Sequence, residues 1–140
     1  MRRGQRPSSA RPAEPKARRG RDFRKAGPGS GGDEARTELV AALGTARGTR
    51  ANERLRDAAH AFERERYDEA RSLLRPLAEQ APQAMSVREL LGLTYYRLGR
   101  WKDAVRELEA FRFGTGSSEQ NPVLADAYRA LKKHRQVEEL

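Results

Sequence analysis

The feature that most constrains the fold of this chain is an internal repeat with a spacing of 34 residues. Self-similarity at periods of about 20 to 50 residues is typical of proteins built from stacked supersecondary units. Seven positions align at this spacing: Ala58 with Gly92, Phe62 with Tyr96, Tyr67 with Trp101, Asp68 with Lys102, Glu69 with Asp103, Ala70 with Ala104, and Leu74 with Leu108. A third, partial copy follows at a spacing of 33 residues, in which Tyr95 aligns with Tyr128. The chain is therefore predicted to be a repeat array.

Each repeat has the apolar spacing of two helices joined by a short turn. In the second repeat the spacing predicts helices over 83–98 and 101–113, with the turn at Gly99 and Arg100. Gly92 and Ala104 are expected where the helices cross, because closely packed helices leave no room for a large side chain there. Leucine at Gly92 is expected to destabilise the chain and alanine to be neutral or mildly stabilising. An ordinary helical hairpin core is the alternative interpretation.

The second repeat also carries the residues of a known family. The residues in question are Leu91, Gly92, Tyr95, Trp101, Ala104, Leu108 and Phe111. With them the chain resembles the tetratricopeptide repeat family over about 90 of its 140 residues. The resemblance implies an all-α fold, a right-handed α–α superhelix of helical hairpins, and a non-enzymatic role in binding proteins. The sequences of the repeats are similar to those of a group of actinobacterial members of the family. That group has no assigned enzymatic role that could be transferred to this chain.

The predicted organisation has five segments. They are a disordered basic tail rich in Arg, Pro and Gly over 1–32, a short helix over 33–48, repeats over 51–84 and 85–117, and a partial third repeat over 118–140. Gly44 and Gly48 are expected to weaken the end of the short helix. Pro76 falls inside the second helix of the first repeat, so a bend is expected near 72–75 unless the ring faces solvent. The third repeat looks truncated, and Val137 and Leu140 are expected to lack apolar partners.

The positive charge is concentrated in the tail. Of the net +9, residues 1–32 contribute +8, from ten Lys or Arg against Glu14 and Asp22, and residues 33–140 contribute +1. Phe23 is the only aromatic residue of the tail, so the tail cannot bury enough apolar surface to order itself. Weak, non-specific binding of nucleic acid or another polyanion through residues 1–32 is the alternative function, and it would be strongly salt-dependent.

Other functional classes find little support in the sequence. The chain has no cysteine and only His60 and His134 as imidazole ligands, in different repeats, so neither a metal site nor a cofactor is expected. No Ser, His and Asp combination suggests catalysis, and the protein is predicted not to be an enzyme. No apolar run approaches the length of a membrane span. A cytoplasmic protein with no membrane contact is therefore predicted.

The resemblance also implies a groove, on the concave face of the first helix of each repeat, that binds a peptide or helix of a partner protein. Transferring the family's positions predicts ten groove residues: Asn52, Leu55, Ala59, Phe62 and Glu63 in the first repeat, and Ser86, Glu89, Leu93, Tyr96 and Arg97 in the second. An apolar strip is expected from Leu55, Phe62, Leu93 and Tyr96.

Three further expectations concern this groove and the partner. The family's clamp for a C-terminal carboxylate is not expected, because Leu55, Ala59, Glu89 and Leu93 replace its Lys and Asn. In an alternative arrangement, the N-terminal helix or the tail covers part of the groove. The partner itself is not identified by the sequence, and homo-oligomerisation is a further hypothesis.

Overall fold

The computed structural model describes residues 32–140, and this part of the chain contains helices and no strand. The seven helices are α1 (Gly32–Leu43), α2 (Thr45–Glu63), α3 (Tyr67–Gln80), α4 (Met85–Arg97), α5 (Trp101–Thr115), α6 (Asn121–Ala130) and α7 (His134–Glu138). The predicted all-α class is confirmed. The predicted disordered tail lies outside the described residues, apart from Gly32, with which α1 begins.

The helices after α1 form three consecutive pairs. We call α2–α3 the first pair, α4–α5 the second pair and α6–α7 the third pair. The two helices of each pair pack against each other, and α3 and α5 also pack against the first helix of the following pair. This arrangement agrees with a superhelix of helical hairpins. The second pair begins and ends close to the predicted bounds, at Met85 and Thr115.

The N-terminal helix differs from the expectation. It ends at Leu43, because Gly44 has a φ of 88°, a left-handed conformation that favours glycine. Gly48 was expected to weaken the same helix, but it lies inside α2, where α1 and α2 cross. A Cβ atom built on Gly48 would stand 2.5 Å from the Cα atom of Val40. The expectation for Gly48 is therefore wrong, since a close contact between two backbones requires this glycine.

The turns within the three pairs repeat one geometry. Glu65, Gly99 and Lys132 occupy the same position in the repeat and have φ values of 63°, 75° and 62°. In each turn the next residue donates its backbone N–H to a carbonyl five residues earlier, as Arg100 does to Tyr95 at 2.9 Å. This bond is typical of a helix that ends in a left-handed residue. Only the second turn uses glycine there.

The aligned small and leucine positions form the core. Ala58, Ala70, Ala104, Leu74 and Leu108 have no exposed surface. The core continues through α4 into α6, where Tyr128 is buried in the position of Tyr95. Val137 and Leu140 are partly buried against this core. The expectation that they lack apolar partners is wrong, because the end of the chain folds back, and the side-chain amide of Asn121 donates to the carbonyl of Leu140 at 3.3 Å.

The structure bears on two expectations about single residues, Gly92 and Pro76. A Cβ atom on Gly92 would lie 2.6 Å from Cδ2 and 2.7 Å from Cγ of Leu108, so even alanine is too large there. Because the buried Leu108 side chain must move to admit that methyl group, the structure favours a destabilising Gly92→Ala over the expected neutral one. At Pro76, α3 continues without interruption, and the proline is exposed. The proline ring thus lies at the surface of α3, and the bend expected near 72–75 stays a prediction.

Candidate partner-binding groove

The ten residues predicted for the groove all lie on α2 and α4, the first helices of the first and second pairs. Six of them are partly exposed: Asn52, Ala59, Phe62, Glu63, Ser86 and Arg97. The other four are buried, with exposed fractions of 7% for Leu55, 6% for Glu89, 8% for Leu93 and 4% for Tyr96. Of the expected apolar strip, only Phe62 is therefore partly open to solvent.

At the N-terminal end of α4, α1 lies over the predicted groove. α1 packs against both α2 and α4. The carboxylate of Glu38 accepts hydrogen bonds from the backbone N–H groups of Met85 at 3.2 Å and Ser86 at 3.1 Å. These N–H groups belong to the first turn of α4, where a negative charge is favourable. The chain thus places its own acidic helix on this end, as the alternative arrangement anticipated for the N-terminal helix.

Further along α4, groove side chains are used to hold the third pair. The side-chain amide of Gln120 donates to Oε2 of Glu89 at 2.8 Å, and both residues are buried. The hydroxyl of Tyr96 donates to Oδ2 of Asp126 at 2.8 Å. A buried carboxylate needs such a partner to offset the loss of its hydration. These side chains therefore have a structural role within the chain.

The C-terminal ends of α2 and α4 leave a more open part of the groove. The rings of Phe62 and Tyr67 meet edge to face at 5.3 Å, and the guanidinium of Arg97 lies 5.9 Å from the Tyr67 ring. On α6, Arg129 forms an ion pair with Asp126 at 2.8 Å. We call this set the open groove segment, and it comprises Phe62, Glu63, Arg97, Asp126 and Arg129. It combines one aromatic ring with charges of both signs.

Asp126 and Arg129 were not among the predicted groove residues, although a signal for them exists. They stand 33 residues after Leu93 and Tyr96, which is the spacing of the third copy. Applying that spacing to the groove positions would have found them. The groove positions of the first two repeats could not have identified Asp126 and Arg129, because these two residues belong to the third pair.

Polar groups between α5 and its neighbours are also buried. Glu107 is 3% exposed and accepts a hydrogen bond from Arg88 of α4 at 2.7 Å. Burial raises the pKa of Tyr128, and the hydrogen bond that its hydroxyl donates to Glu109 raises that pKa further. Burial lowers the pKa of Arg106, but the hydrogen bonds and charges of Glu107 and Asp103 outweigh this, and the pKa is raised overall. These contacts fix α5 between α4 and α6.

The described residues hold no obvious chemical centre. Residues 32–140 contain no group of three His, Cys, Asp or Glu placed to bind a metal ion. His60 and His134 are both exposed, and they lie on α2 and α7. In the same part of the chain, no helix combines the length and apolar character that crossing a membrane requires.

Comparison with known proteins gives one match. Residues 61–112 match the family model of the tetratricopeptide repeat, a segment that runs from the end of α2 to near the end of α5. No curated protein and no solved structure matches the chain. The matched segment contains all of α4, the turn at Gly99 and α5 as far as residue 112. Together with the repeated helical pairs, this match supports a tetratricopeptide repeat protein, and hence a protein-interaction module in general terms.

Proposed function

We propose that the chain is a non-enzymatic scaffold that binds a helix or extended peptide of a partner protein in the open groove segment. The observation that carries this proposal is how the two ends of the groove differ. One end already holds a helix, α1, whose Glu38 carboxylate binds the first turn of α4. The other end presents Phe62, Glu63 and Arg97 partly exposed. A surface that accepts one amphipathic helix has the shape and polarity to accept a second segment beside it.

The chemistry of the open groove segment limits the partner. An aromatic side chain on the same groove as Glu63, Arg97 and Arg129 favours a segment with an apolar anchor flanked by charges of both signs. A free C-terminal carboxylate is not favoured as the anchor, because the positions of the family's clamp hold Leu55, Ala59, Glu89 and Leu93. We further propose a cytoplasmic location and a relationship to the actinobacterial group that the repeats resemble.

Site-specific photocrosslinking in the source organism tests this proposal. A photoreactive amino acid replaces Phe62 or Arg97 in the full chain, and Arg75 on α3 serves as the control position because it is exposed on a second helix. We expect one discrete partner protein to be captured at positions 62 and 97 and not at position 75. Capture should fall when Glu63 is replaced by Lys in the crosslinking chain. No capture at 62 and 97, or equal capture at all three positions, would contradict the groove proposal.

A second candidate function rests on the segregated charge of the tail, which is +8 over residues 1–32. These residues lie outside the described part, except for Gly32. We propose weak, non-specific polyanion binding through them, driven by release of counterions. Retention of the full chain on duplex and single-stranded nucleic acid should exceed that of a chain lacking residues 1–31 at low salt, and should disappear at high salt. Equal retention of both chains would contradict this function.

A further inference from the structure

One face of α5 is the strongest unexplained surface among the described residues. Its six residues, Lys102, Val105, Arg106, Glu109, Ala110 and Phe113, are spaced as one continuous stripe of a helix. We call this stripe the α5 face. It lines an open cleft of about 430 Å³ together with Leu131 and Lys133, at the turn between α6 and α7. Phe113 is 91% exposed, the only large hydrophobic residue so exposed within 32–140.

The first pair shows that the fold does not require this stripe to be apolar. The same six positions on α3 are Asp68, Arg71, Ser72, Arg75, Pro76 and Glu79. Val105 thus stands in the place of Arg71, and Phe113 in the place of Glu79. Both helices occupy the same place in their pairs, so the exposed phenylalanine is not a consequence of the repeat architecture. Within the stripe Val105 is only 8% exposed, so its exposed apolar surface comes mainly from Phe113. Aromatic side chains are enriched at protein interfaces.

The charges of the α5 face indicate what would cover it. When a second copy of the face is turned end for end, Lys102 stands opposite Phe113, Val105 opposite Ala110, and Arg106 opposite Glu109. Each pairing occurs twice, because a residue of the first copy faces its counterpart in the second and the reverse also holds. A symmetric dimer requires this relationship. The aliphatic part of Lys102 then lies against the Phe113 ring, and the two central positions form two ion pairs. The face is therefore complementary to itself.

The two central side chains retain bonding capacity for such a contact. Arg106 donates through Nε to Glu107 at 3.1 Å and through Nη1 to Asp103 at 3.0 Å, and a guanidinium has five N–H donors in total. Its side chain is 59% exposed. Glu109 accepts a hydrogen bond from Tyr128 at Oε2, and a carboxylate can accept about four bonds. Both groups can therefore make a further bond without breaking those of the fold.

We propose that two copies of this chain associate through the α5 face, with the two α5 helices antiparallel. The basic tail is a poor alternative occupant, because Lys102, Arg106 and Lys133 surround the cleft and would repel it. The stripe is about 16 Å long, at 1.5 Å per residue, so the interface is smaller than those of stable dimers. Association is consequently weak, with a dissociation constant of about 10 to 300 µM. This inference does not depend on the proposed groove, which belongs to α2, α4 and α6.

Sedimentation velocity of the full chain over about 5 to 500 µM, a range that brackets the expected constant, tests the proposal. The parent should shift from monomer to dimer with concentration. Arg106→Glu and Glu109→Arg should each remain monomeric, because like charges then face each other. An equal mixture of these two variants should form a heterodimer, since both ion pairs are restored, one with its original polarity and one reversed. The double variant Arg106→Glu/Glu109→Arg should dimerise like the parent.

Two further variants distinguish a loss of dimerisation from a loss of folding. Phe113→Asp changes a side chain that is almost fully exposed, so it should preserve the helical circular dichroism and weaken dimerisation at least tenfold. Arg75→Glu makes the same charge change as Arg106→Glu, at the Glu109 position of α3, and should leave dimerisation unchanged. A parent that stays monomeric throughout, or a dimer unaffected by Phe113→Asp, would overturn the proposal. Failure of two folded single variants to associate when mixed would overturn the antiparallel pairing.

Discussion

The first and second helical pairs share one backbone plan but differ in their side-chain contacts. The first pair crosses at Ala58, and the second crosses at Gly92, where the Leu108 side chain occupies the space of a methyl group. α2 keeps several exposed positions along its length, whereas α4 is buried continuously from Glu89 to Tyr96. The difference arises because α4 contacts α1, α3, α5 and α6. The first helix of the central pair is thus used mainly for packing, whereas α2 of the first pair keeps more of its surface exposed.

The largest expected effect concerns the crossing of the second pair. Gly92→Leu should lower the free energy of unfolding by about 3 kcal/mol or more, the upper end for overpacking. Gly92→Ala should also destabilise, because the clash with the fully buried Leu108 outweighs the gain of about 1 kcal/mol in helix propensity. Urea unfolding followed by circular dichroism measures both. If Gly92→Ala is as stable as the parent, the second pair does not cross more closely than the first.

The buried hydrogen bond of Glu89 should have the next largest effect. Its counterpart in the first pair is Leu55, so this contact exists only in α4. Glu89→Ala leaves Gln120 buried without this acceptor and should cost about 1–3 kcal/mol of stability. Glu89→Gln, which can still accept the bond, should cost less. Thermal unfolding of these two variants and of Glu53→Ala, a control at an exposed site on α2, checks the order of the losses. Equal loss of stability in all three variants would contradict it.

A smaller effect is expected from the contact between α1 and α4. Glu38→Ala removes the carboxylate that accepts the Met85 and Ser86 N–H groups, and should cost about 1 kcal/mol, as loss of a helix cap does. Amide hydrogen exchange at these two residues should accelerate, while exchange in α2 stays unchanged. Glu34→Ala, on the exposed side of α1, is the matched control. Unchanged exchange at Met85 and Ser86 in the Glu38 variant would show that α1 does not cap α4.

The smallest effect concerns the turns of the two pairs. Glu65 and Gly99 have the same left-handed backbone, which costs a non-glycine residue about 1 kcal/mol. Glu65→Gly should therefore stabilise the chain by about 0.5–1 kcal/mol, and Gly99→Ala should destabilise it by about 1 kcal/mol. Melting temperatures of the two variants give the signs. Opposite signs support one shared turn geometry, and a destabilising Glu65→Gly would contradict it.

Much of the fold followed from local sequence. The spacing of Tyr67 and Trp101, of Ala70 and Ala104, and of Leu74 and Leu108 predicted the paired helices, because a helical period fixes which side chains share a face. The turn at Gly99 was predictable from glycine's tolerance of a left-handed backbone. The equivalent turns at Glu65 and Lys132 carry no such residue, and only alignment to Gly99 identifies them.

Whether the groove side chains are buried or exposed depends on contacts between segments that are distant in sequence. Position within the repeat placed Leu93 and Tyr96 on the groove side of α4, but their burial follows from contacts with elements that are remote in sequence, such as Asp126 of α6. Gly48 looked like a helix end until the crossing with Val40 gave it another role. Sequence periodicity determines the face on which a side chain lies, because that is a local property of the helix. Which element covers that face is set by the packing of whole helices, and no local pattern encodes it.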